Sequence, residues 1–211
     1  MLIFDRPFIH KLILMPKTKE QFEKIRKSKK ALIMDTALEL FANHGYYPSS
    51  ISMISSKAGI SKGLLYNYFS SKEELVREIM VIGMNKFIEL FDTNKDGILT
   101  CEEFEQFIRE SFRVLKENMP YYKLYFSTMM QPQVYDLIKD TFHEIMPKYL
   151  KMLAVYYDKR GIDHPAQEAL IFGAVMDGIS LNYIMDPDTF PVEKTIQSII
   201  DKFGHCKNAS S

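Results

Sequence analysis

One short segment, Ser61-Lys-Gly-Leu-Leu-Tyr-Asn-Tyr68, carries side chains suited to contacting a nucleic acid. Its lysine can pair with a phosphate, and its asparagine and tyrosines can donate hydrogen bonds to phosphates or to base edges. Its glycine lets the backbone approach a groove closely. Because Ser61 can cap a helix that starts at the lysine, the pattern predicts a helix that presents these groups together.

A second segment, residues 92–103, has the spacing of an EF-hand calcium loop. Counted from its first residue, oxygen-bearing side chains stand at positions 1, 3, 5, 9 and 12, and a glycine stands at position 6. Such a loop turns sharply at the glycine and closes on a bidentate glutamate. The pattern predicts one Ca²⁺ site, with the ligands Asp92, Asn94, Asp96, the carbonyl of Ile98, Thr100 through a water, and Glu103. The alternative is a polar turn between two helices, since Asp and Gly favour turns and the sequence has no second such loop.

The sequence lacks the short motifs of the common catalytic centres. It has no G-x-S-x-G, no phosphate-cradling glycine loop and no His-Glu-x-x-His, and its five histidines are scattered along the chain. We therefore predict that the protein is not an enzyme, that it has no catalytic residues and that it requires no cofactor.

The composition is typical of a soluble globular protein. Of the 211 residues, 46% are hydrophobic and 26% are charged, and no stretch approaches the ~20 apolar residues of a membrane-spanning helix. The two cysteines, Cys101 and Cys206, show no pairing pattern, which is typical of a reducing cytoplasm and excludes a disulfide scaffold. We expect a cytoplasmic protein without a membrane partner.

The net charge of zero conceals an asymmetry between the two ends of the chain. Residues 1–72 carry 12 Lys and Arg against 5 Asp and Glu, whereas residues 73–211 carry 15 against 22. A basic front end on an acidic body favours contact of that end with a polyanion, and a solvated charged face is the alternative.

Apolar residues recur with helical spacing nearly throughout, and no run alternates as a strand would. Ile33, Ala37, Leu40 and Phe41 form one stripe on a first strong helix. Two short helical patterns follow, joined at Gly59, where a tight turn between helices needs a positive φ. The predicted fold class is all-α, with an N-terminal three-helix unit that contains a helix-turn-helix and a larger helical body behind it.

Three stretches of the front end lie within residues 31–80: Ala37-Leu-Glu-Leu-Phe-Ala-Asn-His-Gly-Tyr46, Ile54-Ser-Ser-Lys-Ala-Gly-Ile-Ser-Lys-Gly-Leu-Leu-Tyr-Asn-Tyr-Phe69 and Ser71-Lys-Glu-Glu-Leu75. They closely resemble the TetR family of bacterial transcriptional regulators. The resemblance implies a three-helix DNA-binding unit and a divergent helical body that binds a small-molecule effector and dimerises.

Carried over position by position, the resemblance assigns DNA contacts to residues of the second and third helices and the start of the fourth. Those that would meet phosphate at the start of the second helix are Ser50 and Ser52. Those along the groove-facing helix are Lys62, Gly63, Leu64, Tyr66 and Asn67. Those that would mainly contact the DNA backbone are Tyr66, Tyr68 and Lys72.

The segment 169–185 is apolar around most of its helical circumference, and Gly173, Ala174, Gly178 and Ser180 would let another helix approach closely. Together with residues 192–203 it resembles the last two helices of TetR-like bodies, which form a four-helix bundle between subunits. The alternative is a buried core helix in a monomer. Met and aromatic residues between positions 121 and 157 could line an effector pocket or form a plain core, so no effector contact is assigned.

We divide the chain into an N-terminal extension at residues 1–24, poorly ordered or leading into the first helix, a DNA-binding domain at 25–72, a regulatory and dimerisation domain at 73–206 and a polar tail at 207–211. The predicted function is a ligand-responsive repressor that binds a palindromic operator in double-stranded DNA as a homodimer and is associated with the nucleoid. A calcium-binding sensor or buffer and a helical ligand carrier are the alternatives. Neither the operator nor the effector is predicted.

Overall fold

The computed structural model describes residues 19–129 and 131–206 of the chain. Within those residues every regular element is an α-helix, which confirms the predicted all-α class. The expectations for residues 1–18 and 207–211 lie outside the described residues. The described helices are α1 (Lys19–His44), α2 (Ile51–Lys57), α3 (Lys62–Tyr66), α4 (Lys72–Glu89), α5 (Cys101–Glu117), α6 (Met119–Met129), α7 (Pro132–Asp158), α8 (Pro165–Met185) and α9 (Val192–Phe203).

The first three helices and the start of α4 enclose one hydrophobic core, which we call the front-end core. The stripe predicted on α1 faces it, and Ile33, Ala37 and Phe41 have no exposed surface. Leu65 and Phe69 meet this stripe from α3 and the turn that follows, and they are equally buried. The apolar periodicity of the sequence therefore predicted this core correctly.

Helix α4 differs in detail from its sequence pattern, which predicts a reciprocal capping box between Ser71 and Glu74. Ser71 Oγ does accept from the Glu74 N–H at 3.1 Å, but the Glu74 carboxylate accepts from the residue before Ser71 instead. The spacing of Leu75, Ile79 and Ile82 predicts that all three face inward. Ile82 is instead 38% exposed, because the buried face of α4 continues through Met80 and Met84.

The front-end core also holds residues from the body of the protein. Leu124 of α6 and Val134 and Ile138 of α7 are buried in it, in the same cluster as Leu75 and Ile79 of α4. Burial of an aliphatic side chain is worth about 1.5–3 kcal/mol, so three such residues hold the body tightly to the front end. A movement of the body helices is therefore transmitted to the front end by direct packing.

A second core lies between α5, α7, α8 and α9, and it is largely aromatic. Phe104 stacks on Tyr156 with the ring centroids 5.0 Å apart, and Phe91 meets Phe107 edge to face at 4.6 Å. Phe172 of α8 closes the cluster against Phe104. The sequence did not decide whether the aromatic residues between positions 121 and 157 line a pocket or form a core. Tyr156 belongs to the core.

Helices α4 and α6 meet where a glycine faces a tyrosine. The hydroxyl of Tyr121 donates to the carbonyl of Met80 at 3.1 Å. The Tyr121 ring lies so close to Gly83 that a Cβ atom built on the glycine would be 2.0 Å from the ring carbon Cζ. Glycine is required here because the ring occupies the space that a side chain would need.

The structure joins Cys101 and Cys206 in a disulfide, contrary to the sequence analysis, which found no pairing pattern. Their Cα atoms are 5.9 Å apart, within the range of a disulfide bridge. The two cysteines are separated by 105 residues, and the packing of α9 against α5 brings them together. Spacing along the chain could not have shown this, because it carries no signal of contacts between distant helices.

Helix α8 is long and apolar enough to span a membrane by length and composition, with a mean hydropathy of 1.2 over a stretch that is 22% buried. The sequence analysis expects no stretch that approaches the apolar length of a membrane-spanning helix, and α8 qualifies that expectation. Leu170, Ile171 and Met185 are 57%, 52% and 75% exposed in the single subunit. A contiguous apolar face of this kind is typical of a helix that packs against another subunit.

The close contact between Gly83 of α4 and Tyr121 of α6 predicts that a methyl group added at Gly83 destabilises the protein. Gly83→Ala should lower the free energy of unfolding by about 1–3 kcal/mol, because the Tyr121 ring must move and lose its hydrogen bond to Met80. Gly173→Ala is the matched control, since an added Cβ there has no atom within 4 Å and should stabilise the helix by up to about 1 kcal/mol. Urea unfolding measures both changes. Equal stability of Gly83→Ala and wild type would contradict the steric requirement.

Candidate DNA-binding surface and effector pocket

A tight turn sets the angle between α2 and α3. Gly59 has a φ of 64°, and the Ile60 N–H donates to the Ser55 carbonyl at 3.0 Å, which closes the end of α2. Ser61 then caps α3 by accepting from the Leu64 N–H at 3.1 Å. The positive φ and the cap that the sequence predicts at these positions are confirmed.

Helix α3 presents to solvent most of the residues that the sequence analysis assigned to DNA. Its inner face is anchored by Leu65, which has no exposed surface. The exposed residues are Lys62, Gly63, Tyr66 and Asn67, and the half-buried ones are Leu64 and Tyr68. One short segment therefore offers a cation, an amide and a phenol together, as contact with phosphates and base edges requires. The individual contacts stay predictions.

The start of α2 carries the two serines that are predicted to meet phosphate. Ser50 is the N-cap residue, and its Oγ accepts from the Met53 N–H at 3.2 Å. Ser52 is exposed one residue into the helix. A capping hydroxyl keeps its own proton to donate, so the cap does not prevent a phosphate contact at Ser50. Both contacts stay predictions.

Lys72 has a structural role that the sequence analysis missed. Its Nζ donates to the carbonyls of Tyr46 and Tyr47 at 3.0 and 3.3 Å and lies 4.2 Å from the centre of the Tyr46 ring. These contacts tie the turn after α1 to the start of α4, and partial burial lowers the pKa of Lys72. Since an ammonium group has three N–H donors, one is left for the predicted phosphate contact.

The body holds a partly open cavity of about 310 Å³ between α4, α5, α6, α7 and α8. This volume is at the lower end of the range for ligand sites, and the walls are mostly aromatic and aliphatic. Several of the Met and aromatic residues that the sequence analysis could not assign to a pocket or a core do line this cavity. They are Tyr121, Tyr122, Tyr125, Phe126, Phe142, Met146 and Tyr149. The walls that the sequence analysis missed include Gly83, Met84 and Ile88 of α4, Ser111 and Leu115 of α5, and Leu170, Gly173, Ala174, Met176, Asp177 and Ser180 of α8.

Few polar groups face this cavity. Ser111 Oγ is buried and has no hydrogen-bond partner within the described residues. Partial loss of water raises the pKa of the Asp177 carboxyl, and burial together with the charge of Asp177 raises the pKa of Tyr125. Such a lining suits a ligand with an apolar body and a polar group that can bond to the serine.

The loop at residues 92–103 turns its side chains onto its own backbone. The Asp92 carboxylate accepts from the Asp96 and Gly97 N–H groups at 3.1 and 3.0 Å, while Thr100 and Glu103 form the capping box of α5. Among the described residues no three His, Cys, Asp or Glu side chains come together as a metal site requires. The calcium-sensor alternative therefore has no support. Ligation of Ca²⁺ by Asp92, Asn94, Asp96, Ile98, Thr100 and Glu103 stays a prediction.

Comparison with known proteins assigns the front end. A sequence model of the bacterial regulatory proteins of the tetR family matches residues 33–79. Over 127 residues the chain is 30% identical to the biofilm operon icaADBC HTH-type negative transcriptional regulator IcaR of Staphylococcus epidermidis, in an alignment that covers 60% of this chain and 68% of that protein. The chain belongs to the TetR family.

Two further similarities extend along most of this TetR-family chain. The fatty acid metabolism regulator protein of Bacillus subtilis is 24% identical over 188 residues, which cover 84% of this chain and 95% of that protein. The crystal structure of the regulator FadR from Bacillus subtilis in complex with stearoyl-CoA matches with a TM-score of 0.69 at 19% identity, covering 81% of this chain and 95% of that one. At this identity the structural match establishes the TetR-type fold.

As a TetR-family member, the chain is a DNA-binding transcriptional regulator and not an enzyme. It binds an operator in double-stranded DNA as a homodimer, responds to a small-molecule effector and acts in the cytoplasm. The all-α fold, the function as a DNA-binding transcriptional regulator, and the DNA, homodimer and effector partners that the sequence predicts are thereby confirmed.

The surface described above separates the roles of two lysines. Lys62→Ala should weaken binding to the selected operator by about 1–3 kcal/mol per half-site more than to random DNA, with no loss of stability, because its side chain is exposed. Lys72→Ala should weaken binding to all DNA, reduce the salt slope by about 0.9 per subunit and lower the melting temperature, because two backbone carbonyls lose their donor.

Fluorescence anisotropy at several salt concentrations, together with thermal unfolding, measures these effects; the operator is first obtained by selection from random DNA. Equal losses on both DNAs would make Lys62 a phosphate contact instead. An unchanged melting temperature for Lys72→Ala would contradict its bracing role.

Proposed function

We propose that this regulator is a repressor that is released from its operator when a long-chain acyl-CoA places its acyl chain in the body cavity. The observation that carries the proposal is the aromatic and aliphatic cavity itself, which adjoins the helix leading to the DNA-binding surface. The similarity to the fatty acid metabolism regulator over 95% of that protein's length supports it, as does the fold match to a regulator bound to stearoyl-CoA.

The chemistry of the cavity favours an acyl chain over a polar metabolite. Each methylene group moved from water into such walls gains about 0.8 kcal/mol, so a chain can bind tightly without many directed contacts. Met84, Met146 and Met176 line the cavity, and unbranched methionine side chains can rearrange to admit a longer chain. The unpartnered Ser111 hydroxyl can donate to the thioester carbonyl.

Helix α4 provides the connection between the cavity and the DNA. Gly83 and Met84 line the cavity, whereas Leu75 and Ile79 of the same helix lie in the front-end core. Tyr121 contacts both the cavity and α4. Its side chain lines the cavity, and its hydroxyl donates to the carbonyl of Met80 in α4. A ligand that binds better when Tyr121 is displaced would shift α4, and with it α3, away from the arrangement that fits DNA.

The DNA complex that we propose follows from two-fold symmetry. Two α3 helices would enter successive major grooves about 34–36 Å apart, so the operator should be palindromic. The contacts assigned to α2, α3 and Lys72, the division of the chain at residues 24, 72 and 206, and residence on the nucleoid belong to this proposal.

The effector proposal predicts that stearoyl-CoA lowers operator affinity while free coenzyme A does not. A cavity-filling substitution, Gly173→Leu, should keep operator affinity but abolish the response. A Cβ atom built on Gly173 has no neighbouring atom within 4 Å, so the leucine side chain fits without a clash and extends into the cavity. Electrophoretic mobility shift of the selected operator over a range of ligand concentrations measures the response.

Gly173→Ala is the control, because a methyl group leaves most of the cavity volume and should preserve the response to the ligand. An unchanged affinity of wild type for its operator at saturating stearoyl-CoA would refute the acyl-CoA proposal. A response that survives in Gly173→Leu would place the ligand elsewhere.

We infer that the dimer forms through the exposed face of α8. Leu170, Ile171, Leu181 and Met185 are exposed there, and a Cβ built on Gly178 has no atom within 4 Å, so another helix has room to approach. By contrast, the apolar residues of α9 turn inward to the aromatic core, which leaves its outer face polar. The α8 face therefore supplies most of the apolar contact between subunits.

The dimer surface predicts that Leu181→Glu gives a monomer, because it buries a charge at the centre of an apolar interface. Val155→Glu on α7 is the matched control, since Val155 is 43% exposed and Leu181 is 41% exposed. Sedimentation velocity at micromolar concentration should show a monomer for the first variant alone, and its operator affinity should fall because two-fold attachment is lost. A dimer in both variants would contradict this surface.

A further inference from the structure

The disulfide lies at a meeting point of three helix ends. Cys101 is the first residue of α5, directly after the capping residue Thr100. Cys206 follows the end of α9 by three residues, and the last turn of α7 supplies Tyr156, whose hydroxyl donates to the carbonyl of Gly204. The bridge therefore fastens the C-terminal end of α9 to the N-terminal end of α5.

Two features of this site would activate Cys101 as a thiolate when the bridge is open. Its sulfur is the acceptor of an N–H from the Arg160 guanidinium at 3.0 Å, and it stands at the N-terminus of a 17-residue helix. Both the cation and the helix dipole favour the ionised thiol. Glu102 and Glu103 oppose this, but the Glu103 carboxylate already accepts from the Thr100 N–H, whereas Arg160 is in direct contact.

Arg160 is itself held in place for this contact. Its guanidinium lies 3.4 Å from the centre of the Tyr156 ring and donates to the Tyr156 carbonyl at 2.9 Å. Cys101 is half-buried and Cys206 is exposed, so small oxidants and reductants can reach the pair. A bridge in a cytoplasmic protein is typically transient, because the compartment keeps thiols reduced.

We propose that Cys101 and Cys206 are a reversible thiol–disulfide switch that closes in response to hydroperoxides. The Cys101 thiolate attacks the terminal oxygen of the hydroperoxide, the O–O bond breaks, and the products are a sulfenic acid at Cys101 and an alcohol, which takes up one proton. The Cys206 thiol then attacks the Cys101 sulfur, so that the S–S bond forms and water leaves. A dithiol reductant reverses the closure by giving two electrons and two protons to the bridge, which restores both thiols and leaves the reductant as its own disulfide.

Closure has a defined mechanical consequence. It links residues 105 positions apart, which restricts the unfolded chain strongly and stabilises the folded body. It also fixes the end of α9, the helix that packs on α5 beside the aromatic core. The proposal concerns a site away from the cavity and is independent of the acyl-CoA effector.

The test begins with the full chain reduced and freed of reductant, then treated with one equivalent of hydrogen peroxide or cumene hydroperoxide. The two free thiols should disappear, the intact mass should fall by two hydrogen atoms, and the chain should stay a single species on a non-reducing gel. The melting temperature of the oxidised form should exceed that of the reduced form by on the order of 10 °C, and dithiothreitol should reverse all changes.

Variants assign the roles of the residues. Cys206→Ser should accumulate a sulfenic acid at Cys101 that reacts with dimedone, whereas Cys101→Ser should react far more slowly. Arg160→Gln should slow peroxide oxidation by roughly threefold to tenfold, and Arg109→Gln, an exposed arginine on α5 that pairs with Glu105, should leave the rate unchanged. Thiols that persist after peroxide, bridges formed between chains, or equal rates in both arginine variants would overturn the proposal.

Discussion

The structure depends on the packing of Leu124, Val134 and Ile138 of the body into the front-end core, which supports the DNA-binding surface. A unit of about 50 residues has a small core and is marginally stable alone, so these three side chains complete it. They also make it impossible for α6 or α7 to move without repacking around Ile79 and Leu75 of α4. Under the proposed function, this shared core would carry the effect of a ligand in the body to the DNA-binding surface, because close-packed interiors transmit displacement.

Helices α4 and α5 distribute that coupling. One end of helix α4 lies in the front-end core, and the other end forms a wall of the cavity. The Tyr121 ring packs directly against Gly83 of α4, and this contact sets how closely α6 approaches. Helix α5 contributes Ser111 to the cavity and begins at Cys101, which is bridged to the end of the chain's last described helix. The proposed effector cavity and the proposed thiol switch would therefore act on different parts of one packed body, through neighbouring helices.

Lys72 has a bracing role in the structure and a predicted role in contact with DNA. Its ammonium group closes the turn after α1 through the carbonyls of Tyr46 and Tyr47, while its position at the first residue of α4 agrees with the phosphate contact that the family resemblance implies. The bracing contact orients the amine, so little conformational entropy would remain to be lost on binding DNA. The sequence predicted the second role and gave no sign of the first, because nothing in local spacing relates positions 46 and 72.

The sequence by itself determined the features that depend on neighbours along the chain. The apolar stripe through Phe41, the cap at Ser61 and the positive φ at Gly59 are all set within a few residues, and the motif around them was enough to identify the DNA-reading unit. The tertiary structure decided which aromatic residues line the cavity, that Ile82 lies outside the core, and that Cys101 has a bonding partner. These outcomes depend on which helices pack together, and periodicity reports the face a helix buries but not the helix that covers it.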